Sequence, residues 1–236
     1  EHPATQENVR VLKERSVHFA GPAEGRMASG LVGFGRMIEP VEILGHVRRV
    51  LGMRGQLAGK KIVITAGGSR EAIDPVRYIT NRSSGKQGYA LAEAAIDAGA
   101  DVTLISAPTA LTPPVGANLR WAESAEEMLE AVLAESAGAD VLIMAAAIAD
   151  FRPTQVSDKK LKKRDGIPEI TLEAAPDVLL AVASQSPSVS RPRVVVGFAA
   201  ESRDLIENAA EKLKSKNLDL IVANDISAKD AGFDVE

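Results

Sequence analysis

Three groups of residues in this 236-residue chain have the type and spacing to handle a phosphorylated ligand. The first is Thr65-Ala66-Gly67-Gly68-Ser69-Arg70, at the end of the apolar run Ile62-Val63-Ile64. Glycines at a strand end let the backbone approach an anion closely, and a tight turn uses the same residues. The second is Ser83-Ser84-Gly85-Lys86, ahead of an apolar helical stretch from Tyr89 to Ala98. A helix start presents unpaired N–H groups and the positive end of its dipole, so Gly68, Ser83, Ser84 and Gly85 are candidate phosphate contacts. A plain N-cap by either serine is compatible with that role. The third is Lys159-Lys160-Leu161-Lys162-Lys163-Arg164, with five cations in six residues. Such a run is commonly a solvated face. Here it follows the apolar strand Val141–Met144 and the loop 145–151, which puts it over the carboxyl edge of a sheet. A lysine in that place could close on a triphosphate and offset charge building up in phosphoryl transfer. Asp150 could hold a ribose hydroxyl or a magnesium-bound water, or be an exposed loop acid. Lys212 and Lys216 are four apart and share a helical face.

Other chemistries lack their parts. Gly85-Lys86 is not a P-loop, because residue 87 is Gln and residue 80 is not glycine. No Gly-x-Gly-x-x-Gly and no Gly-x-Ser-x-Gly occurs. The Tyr-x-x-x-Lys of short-chain dehydrogenases is absent, since Tyr78 is followed four later by Arg82 and Tyr89 by Glu93. His2, His18 and His46 have no metal-ligand spacing, and no metal-binding residues are assigned. Cysteine is absent, which removes disulfides, thiolate metal sites and cysteine catalysis, and fits a reducing cytoplasm. A net charge of −4 gives no general attraction to nucleic acid or anionic membrane. The longest apolar run, Val141 to Ala149, is far short of a membrane-spanning helix.

The elements that must position these groups fall in two unequal parts. From Lys60 onward, short apolar runs alternate with helical stretches. The runs are Ile62–Thr65, Val102–Ile105, Val141–Met144, Val194–Gly197 and Leu220–Ala223. Two-sided apolar strands separated by amphipathic helices indicate a parallel sheet covered on both faces. The fold expected is α/β, doubly wound and Rossmann-like, with a mostly parallel sheet. Helix signals include Ser124 with Glu127 in a capping box, Pro176 at a first helical position, and Leu205 to Lys216 ending at Asn217. Residues 1–56 read as a Gly-rich remnant of a second domain, with a helix over Glu39–Leu51 and a linker near Gly52-Met53-Arg54-Gly55. Residues 57–236 form the main domain. The chain begins at Glu1 without Met or a signal peptide, as if in the middle of a longer protein.

In series, Thr65–Arg70, Asp74–Lys86, Ala145–Phe151, Lys160–Lys163, Gly197–Glu201 and Ala223–Asp225 select a family. Over about residues 58–236 the chain resembles the phosphopantothenoylcysteine synthetases, the C-terminal half of bifunctional CoaBC (Dfp) proteins. Asn8, Gly21-Pro22, Ala28–Gly30 and Gly35–Pro40 resemble the end of the flavin (FMN)-dependent decarboxylase half, whose flavin-binding body is missing. Ser29 stands at the decarboxylase proton-donor position, where many relatives have cysteine. The family extends beyond Gly232-Phe233-Asp234 into further strand.

The resemblance implies a ligase that joins 4'-phosphopantothenate to L-cysteine with CTP and Mg2+. It implies Lys160 in forming an acyl-cytidylate, Asn81 in handling that intermediate and Arg77 in holding the acyl substrate. Nucleotide contacts carry over to Met144, Ala145, Ala146, Asp150, Lys160, Ala175, Pro176, Asp177, Val178, Phe198, Lys212 and Lys216. At Ala175, where the family often has Asn, only backbone remains. A homodimer is implied, with Arg77–Ser84 as a crossing point. An NAD(P)-linked oxidoreductase and a non-catalytic nucleotide-binding module remain as alternatives on the same fold.

Overall fold

The computed structural model describes residues 2–185, 191–201 and 203–225, so Gly232–Asp234 lies outside the described residues. Helix α1 (Pro3–Glu14) precedes an antiparallel hairpin of β1 (Ala23–Arg26) and β2 (Val32–Arg36), then α2 (Pro40–Gly52). Strand β3 (Lys61–Ala66) leads to a small hairpin of β4 (Arg70–Ala72) and β5 (Tyr78–Thr80), then α3 (Lys86–Asp97). Strands β6 (Asp101–Ser106) and β7 (Asn118–Trp121) follow, then α4 (Ala125–Ser136) and β8 (Val141–Met144). A third hairpin, β9 (Phe151–Pro153) with β10 (Leu172–Ala174), leads to α5 (Val178–Ala183), β11 (Val194–Glu201), α6 (Leu205–Ser215) and β12 (Leu220–Asp225).

Six strands form one sheet in the order β12-β11-β8-β3-β6-β7, and every neighbouring pair is parallel. The sheet thus runs outward from β3 in one direction and resumes beside it at β8, the strand order of a Rossmann sheet. The expected doubly wound fold is borne out. Alternate residues of β3 feed opposite layers. Ile62, Ile64 and Ala66 pack with Tyr89, Ala92 and Ile96 of α3. Val63 packs with Met128 and Val132 of α4, Val182 of α5, and Leu142 and Val195. Small side chains allow the helix to approach closely: a Cβ on Gly88 would lie 2.5 Å from the Ala66 Cβ.

Strand β7 (Asn118-Leu119-Arg120-Trp121) gives no two-sided apolar run, since it lies at an edge of the sheet and pairs, among the described residues, with β6 alone. The three-residue hairpin strands are too short for an alternation signal. The capping box at Ser124 is offset by one: Ser124 Oγ accepts from the Glu127 N–H, while Glu127 Oε2 accepts from the Glu123 N–H at 2.7 Å. Pro176 precedes the first helical position, because Asp177 takes the N-cap and accepts from the Leu180 N–H at 2.9 Å.

No residue from His2 to Met37 is buried. Helix α2 is different, since Arg48 pairs with Glu93 and Asp97 of α3. The glycines read as a linker serve this contact. A Cβ on Gly52 would lie 2.5 Å from the Asp97 carbonyl oxygen, and one on Gly55 2.3 Å from that of Ala98. No helix among the described residues is long and apolar enough to cross a membrane.

Candidate functional site

Met144 at the end of β8 and Phe198 on β11 line a cleft of about 390 Å³ at the carboxyl side of the sheet. That is within the roughly 300–1,000 Å³ typical of small-molecule sites. Ala146, Ile148 and Asp150 line it from the loop after β8. Ala175, Pro176, Asp177 and Val178 contribute from the entry to α5, and Lys212 and Lys216 from the end of α6. Of the nucleotide contacts implied by the family resemblance, all but Ala145 and Lys160 therefore line one cavity. Ile148, Ala149, Ala174 and Leu179 also line it and were not singled out in the sequence.

Its charges are held in place. The Lys212 ammonium donates to the Phe198 carbonyl at 2.8 Å, which holds the side chain across the end of the cleft. Lys216 pairs with Asp177 Oδ2, while Asp177 Oδ1 caps α5. Burial pushes the Asp177 carboxyl up. The Lys216 hydrogen bond, the Leu180 N–H and the charges of both lysines outweigh that, and its pKa falls below the ordinary aspartate value. Asp150 stands exposed at the rim. Its carbonyl accepts from the Ala175 N–H at 2.9 Å, so the backbone contact expected at Ala175 is confined to its carbonyl.

The loop after β8 is fixed along its length by residues from the end of β3. The buried Thr65 hydroxyl accepts from the Ala146 N–H at 3.0 Å. Ala147 pairs with Gly67 and Gly68, its N–H donating to the Gly67 carbonyl at 2.8 Å. The buried Ser69 hydroxyl accepts from the Ala149 N–H at 2.9 Å and donates to Glu71 Oε1 at 2.8 Å. The same Glu71 oxygen accepts from the Ala125 N–H at 2.9 Å, at the first turn of α4. Asn81 donates to the Ile148 carbonyl at 3.0 Å. In the sequence Thr65 and Ser69 stood out only as neighbours of the Gly67-Gly68 pair, and Glu71 not at all. Their signal is a polar residue directly beyond an apolar strand, which marks a turn as readily as a support.

The glycines expected to approach an anion also lie close to protein. A Cβ on Gly68 would lie 2.8 Å from the Asn81 carbonyl oxygen, and one on Gly85 2.8 Å from the Thr109 Cγ2. Neither Gly68 nor Ser83, Ser84 or Gly85 lines the cleft. Gly85 itself is the N-cap of α3, with φ +79°, and the Ser84 hydroxyl one residue earlier accepts from the Lys86 N–H at 3.4 Å. The crevice between β3 and β8 is closed by hydrogen bonds between their loops, and the open cleft lies one strand over, between β8 and β11.

Lys160 is exposed on the long loop between β9 and β10. Its neighbour Leu161 is tied to residues 74–77. The Leu161 N–H donates to Asp74 Oδ2 at 3.1 Å, and its carbonyl accepts from Arg77. Arg77 also pairs with Asp74 at 2.8 Å. Ser29 lies in the turn between β1 and β2, exposed and remote in sequence from the cleft.

A doubly wound parallel sheet with a cleft at its carboxyl rim, lined by two lysines, two acids and apolar residues, defines a class of α/β domain that binds small ligands at the strand ends. Residues 57–236 match the family described as the DNA/pantothenate metabolism flavoprotein C-terminal domain, and the chain belongs to that family. It is 47% identical over 232 residues to the coenzyme A biosynthesis bifunctional protein CoaBC of Vibrio vulnificus, covering 98% of this chain and 57% of that protein. With the CoaBC protein of Bacillus subtilis it shares 46% identity over 236 residues, covering 99% of this chain and 57% of that protein. The chain thus spans just over half the length of these relatives. A crystal structure of the C-terminal domain of CoaBC superposes with a TM-score of 0.63 at 46% identity, covering 72% of this chain and 79% of that one. The family resemblance carried by the motifs is borne out.

Proposed function

We propose that residues 57–236 form a CTP-dependent phosphopantothenate–cysteine ligase and that the β8/β11 cleft is its nucleotide site. The observation that carries this reading is the convergence of Met144, Asp150, Asp177, Phe198, Lys212 and Lys216 on one cavity. These residues are far apart in sequence and lie in a domain whose relatives are coenzyme A biosynthesis proteins.

A carboxylate resists attack by an amine because its leaving group is too poor. The phosphopantothenate carboxylate first attacks the α-phosphorus of CTP. A P–O bond forms, pyrophosphate leaves with its electron pair, and an acyl-cytidylate results. The cysteine amine then attacks the acyl carbon, the amide forms, CMP leaves and the amine proton passes to solvent. Lys160 offsets charge in the first step, and Asn81 and Arg77 hold the acyl group. Lys212 and Lys216 hold the nucleotide. A phosphate-contact role for Gly68, Ser83, Ser84 and Gly85 rests on loop type alone.

Magnesium binds triphosphates through phosphate oxygens and one or two carboxylates. Asp150, exposed at the rim, fits as the protein's carboxylate, and no group of three metal-ligating side chains occurs among the described residues. FMN and decarboxylation belong, in this reading, to the other half of a bifunctional protein. Ser29 sits on an exposed hairpin turn that does not enclose a ring system, and no decarboxylation step is derived for this chain. Dimerisation through Arg77–Ser84, the division at residue 56 and a cytoplasmic location are part of the same proposal.

The test is incubation with CTP, phosphopantothenate and cysteine, scored for CMP and pyrophosphate, with ATP and NADPH in parallel. Lys160→Gln should abolish pyrophosphate release and leave the fold intact. Near-normal release in that variant removes the lysine from the mechanism, and hydride transfer from NADPH would favour an oxidoreductase.

A further inference from the structure

Asp74 is a carboxylate with no accessible side-chain surface, yet it lies between two surface loops. All its hydrogen-bonding capacity is directed. Oδ1 accepts from the Val76 N–H at 2.8 Å and the Arg77 N–H at 2.9 Å, the pattern of an Asx turn. Oδ2 is not needed for that turn. It accepts from the Leu161 N–H at 3.1 Å and pairs with the Arg77 guanidinium at 2.8 Å. Arg77 in turn donates to the Leu161 carbonyl, so both polar backbone groups of Leu161 are held by one ion pair, between the buried Asp74 and the exposed Arg77.

A second tether lies three residues before Lys160. The Ser157 N–H donates to the Ile73 carbonyl at 3.0 Å, and the Ser157 hydroxyl donates to the Lys159 carbonyl at 2.7 Å. Lys160 therefore sits on backbone fixed on both sides, while its ammonium has no partner among the described residues and its side chain is exposed. A fixed stem with an uncommitted charge is the arrangement that a positioned cation requires. A surface loop that served only as a connection would leave Oδ2 of a buried aspartate to its own turn.

We propose that Asp74 is a positioning residue: it anchors the root of the basic loop and thereby sets the place of Lys160 and Arg77. This rests on the ligase reading of the cleft for its catalytic consequence, whereas the anchoring is testable by itself. In Asp74→Asn, Oδ1 can keep the Asx turn. The amide nitrogen then faces the Leu161 N–H and the Arg77 guanidinium, donor against donor. The full chain carrying Asp74→Asn should be cleaved by trypsin within Lys159–Arg164 several times faster than the parent. Its kcat for CMP release should fall roughly tenfold, with KM for CTP within about twofold of the parent.

Leu161→Pro, which removes the N–H that Asp74 Oδ2 accepts, should move both measures the same way and decides the matter if Asp74→Asn is cleaved throughout its length. Unchanged loop cleavage in both variants overturns the anchoring. Faster cleavage with unchanged kcat overturns the link to Lys160, and so does a loss confined to KM. A parent chain that releases no CMP sinks the ligase reading, while the tryptic comparison still decides whether Asp74 holds the loop.

Discussion

Replacing Ser69 with alanine should damage the cleft through a residue that touches no ligand. Ser69 is fully buried, and its hydroxyl serves two partners at once. The Ala149 N–H donates to it at 2.9 Å, and it donates to Glu71 Oε1 at 2.8 Å. Alanine leaves the Ala149 N–H buried without an acceptor, which costs about 1–3 kcal/mol, and removes a Ser69–Glu71 bond worth about 1 kcal/mol net. The volume lost is a single oxygen, so no large cavity contribution is added. The sum is about 3 kcal/mol. For a chain of this size each kcal/mol shifts Tm by about 2–4 °C, which predicts a fall of about 6–12 °C. Ala149 and Asp150 line the cleft, so KM for CTP should rise in parallel. Thermal unfolding followed by circular dichroism gives the first quantity and steady-state CMP release the second. A Tm within about 2 °C of the parent, with KM unchanged, would refute the claim that this hydroxyl carries the loop.

Two further outcomes concern the cations and acids of the cleft. Lys212→Met removes the ammonium that donates to the Phe198 carbonyl; KM for CTP should rise about tenfold with kcat little changed, and an unaltered KM would take Lys212 out of the nucleotide site. The Asp177 pKa lies below its ordinary value in the folded chain. The group therefore stabilises the fold above the unfolded aspartate pKa and loses that contribution as pH falls through the folded value. The Tm difference between the parent and Asp177→Asn should be full at neutral pH and shrink below about pH 4, and a difference independent of pH contradicts the pairing with Lys216.

The fold was legible because its strands are two-sided. Ile62–Thr65 and Val102–Ile105 are covered on both faces, and only a buried parallel sheet produces such runs. The edge strand β7 was not legible for the converse reason. Lys212 and Lys216 announced a shared helical face, but nothing in their spacing could tell that the face meets Asp177 and Phe198, because that contact is made by crossover connections. The Gly67-Gly68 pair was ambiguous. A glycine demanded by an anion and one demanded by a neighbouring carbonyl have the same letter, and at Gly68 the neighbour is the Asn81 backbone. Asp74 was the least visible, since its two short-range bonds resemble any Asx turn and its partner Leu161 is 87 residues away.

The charge of the cleft explains why a loop outside it matters. Its lining holds two lysines, Lys212 and Lys216, and two acids, Asp150 and Asp177, so it is formally neutral. A triphosphate brings several negative charges, and a neutral cavity cannot hold them without further cations. Magnesium supplies some of that charge where Asp150 can share it. On the ligase reading the rest must come from cations outside the lining, and the run Lys159–Arg164 is the densest cationic segment of the sequence. A permanently cationic cavity would hold pyrophosphate after it had formed. In the proposed ligase, a neutral cleft with further cations on a separately anchored loop would bind the nucleotide base and ribose in one place and handle phosphate charge in another. In that proposal, fixing the loop through the buried Asp74 and its partner Arg77 keeps the two parts in register while leaving the Lys160 ammonium uncommitted.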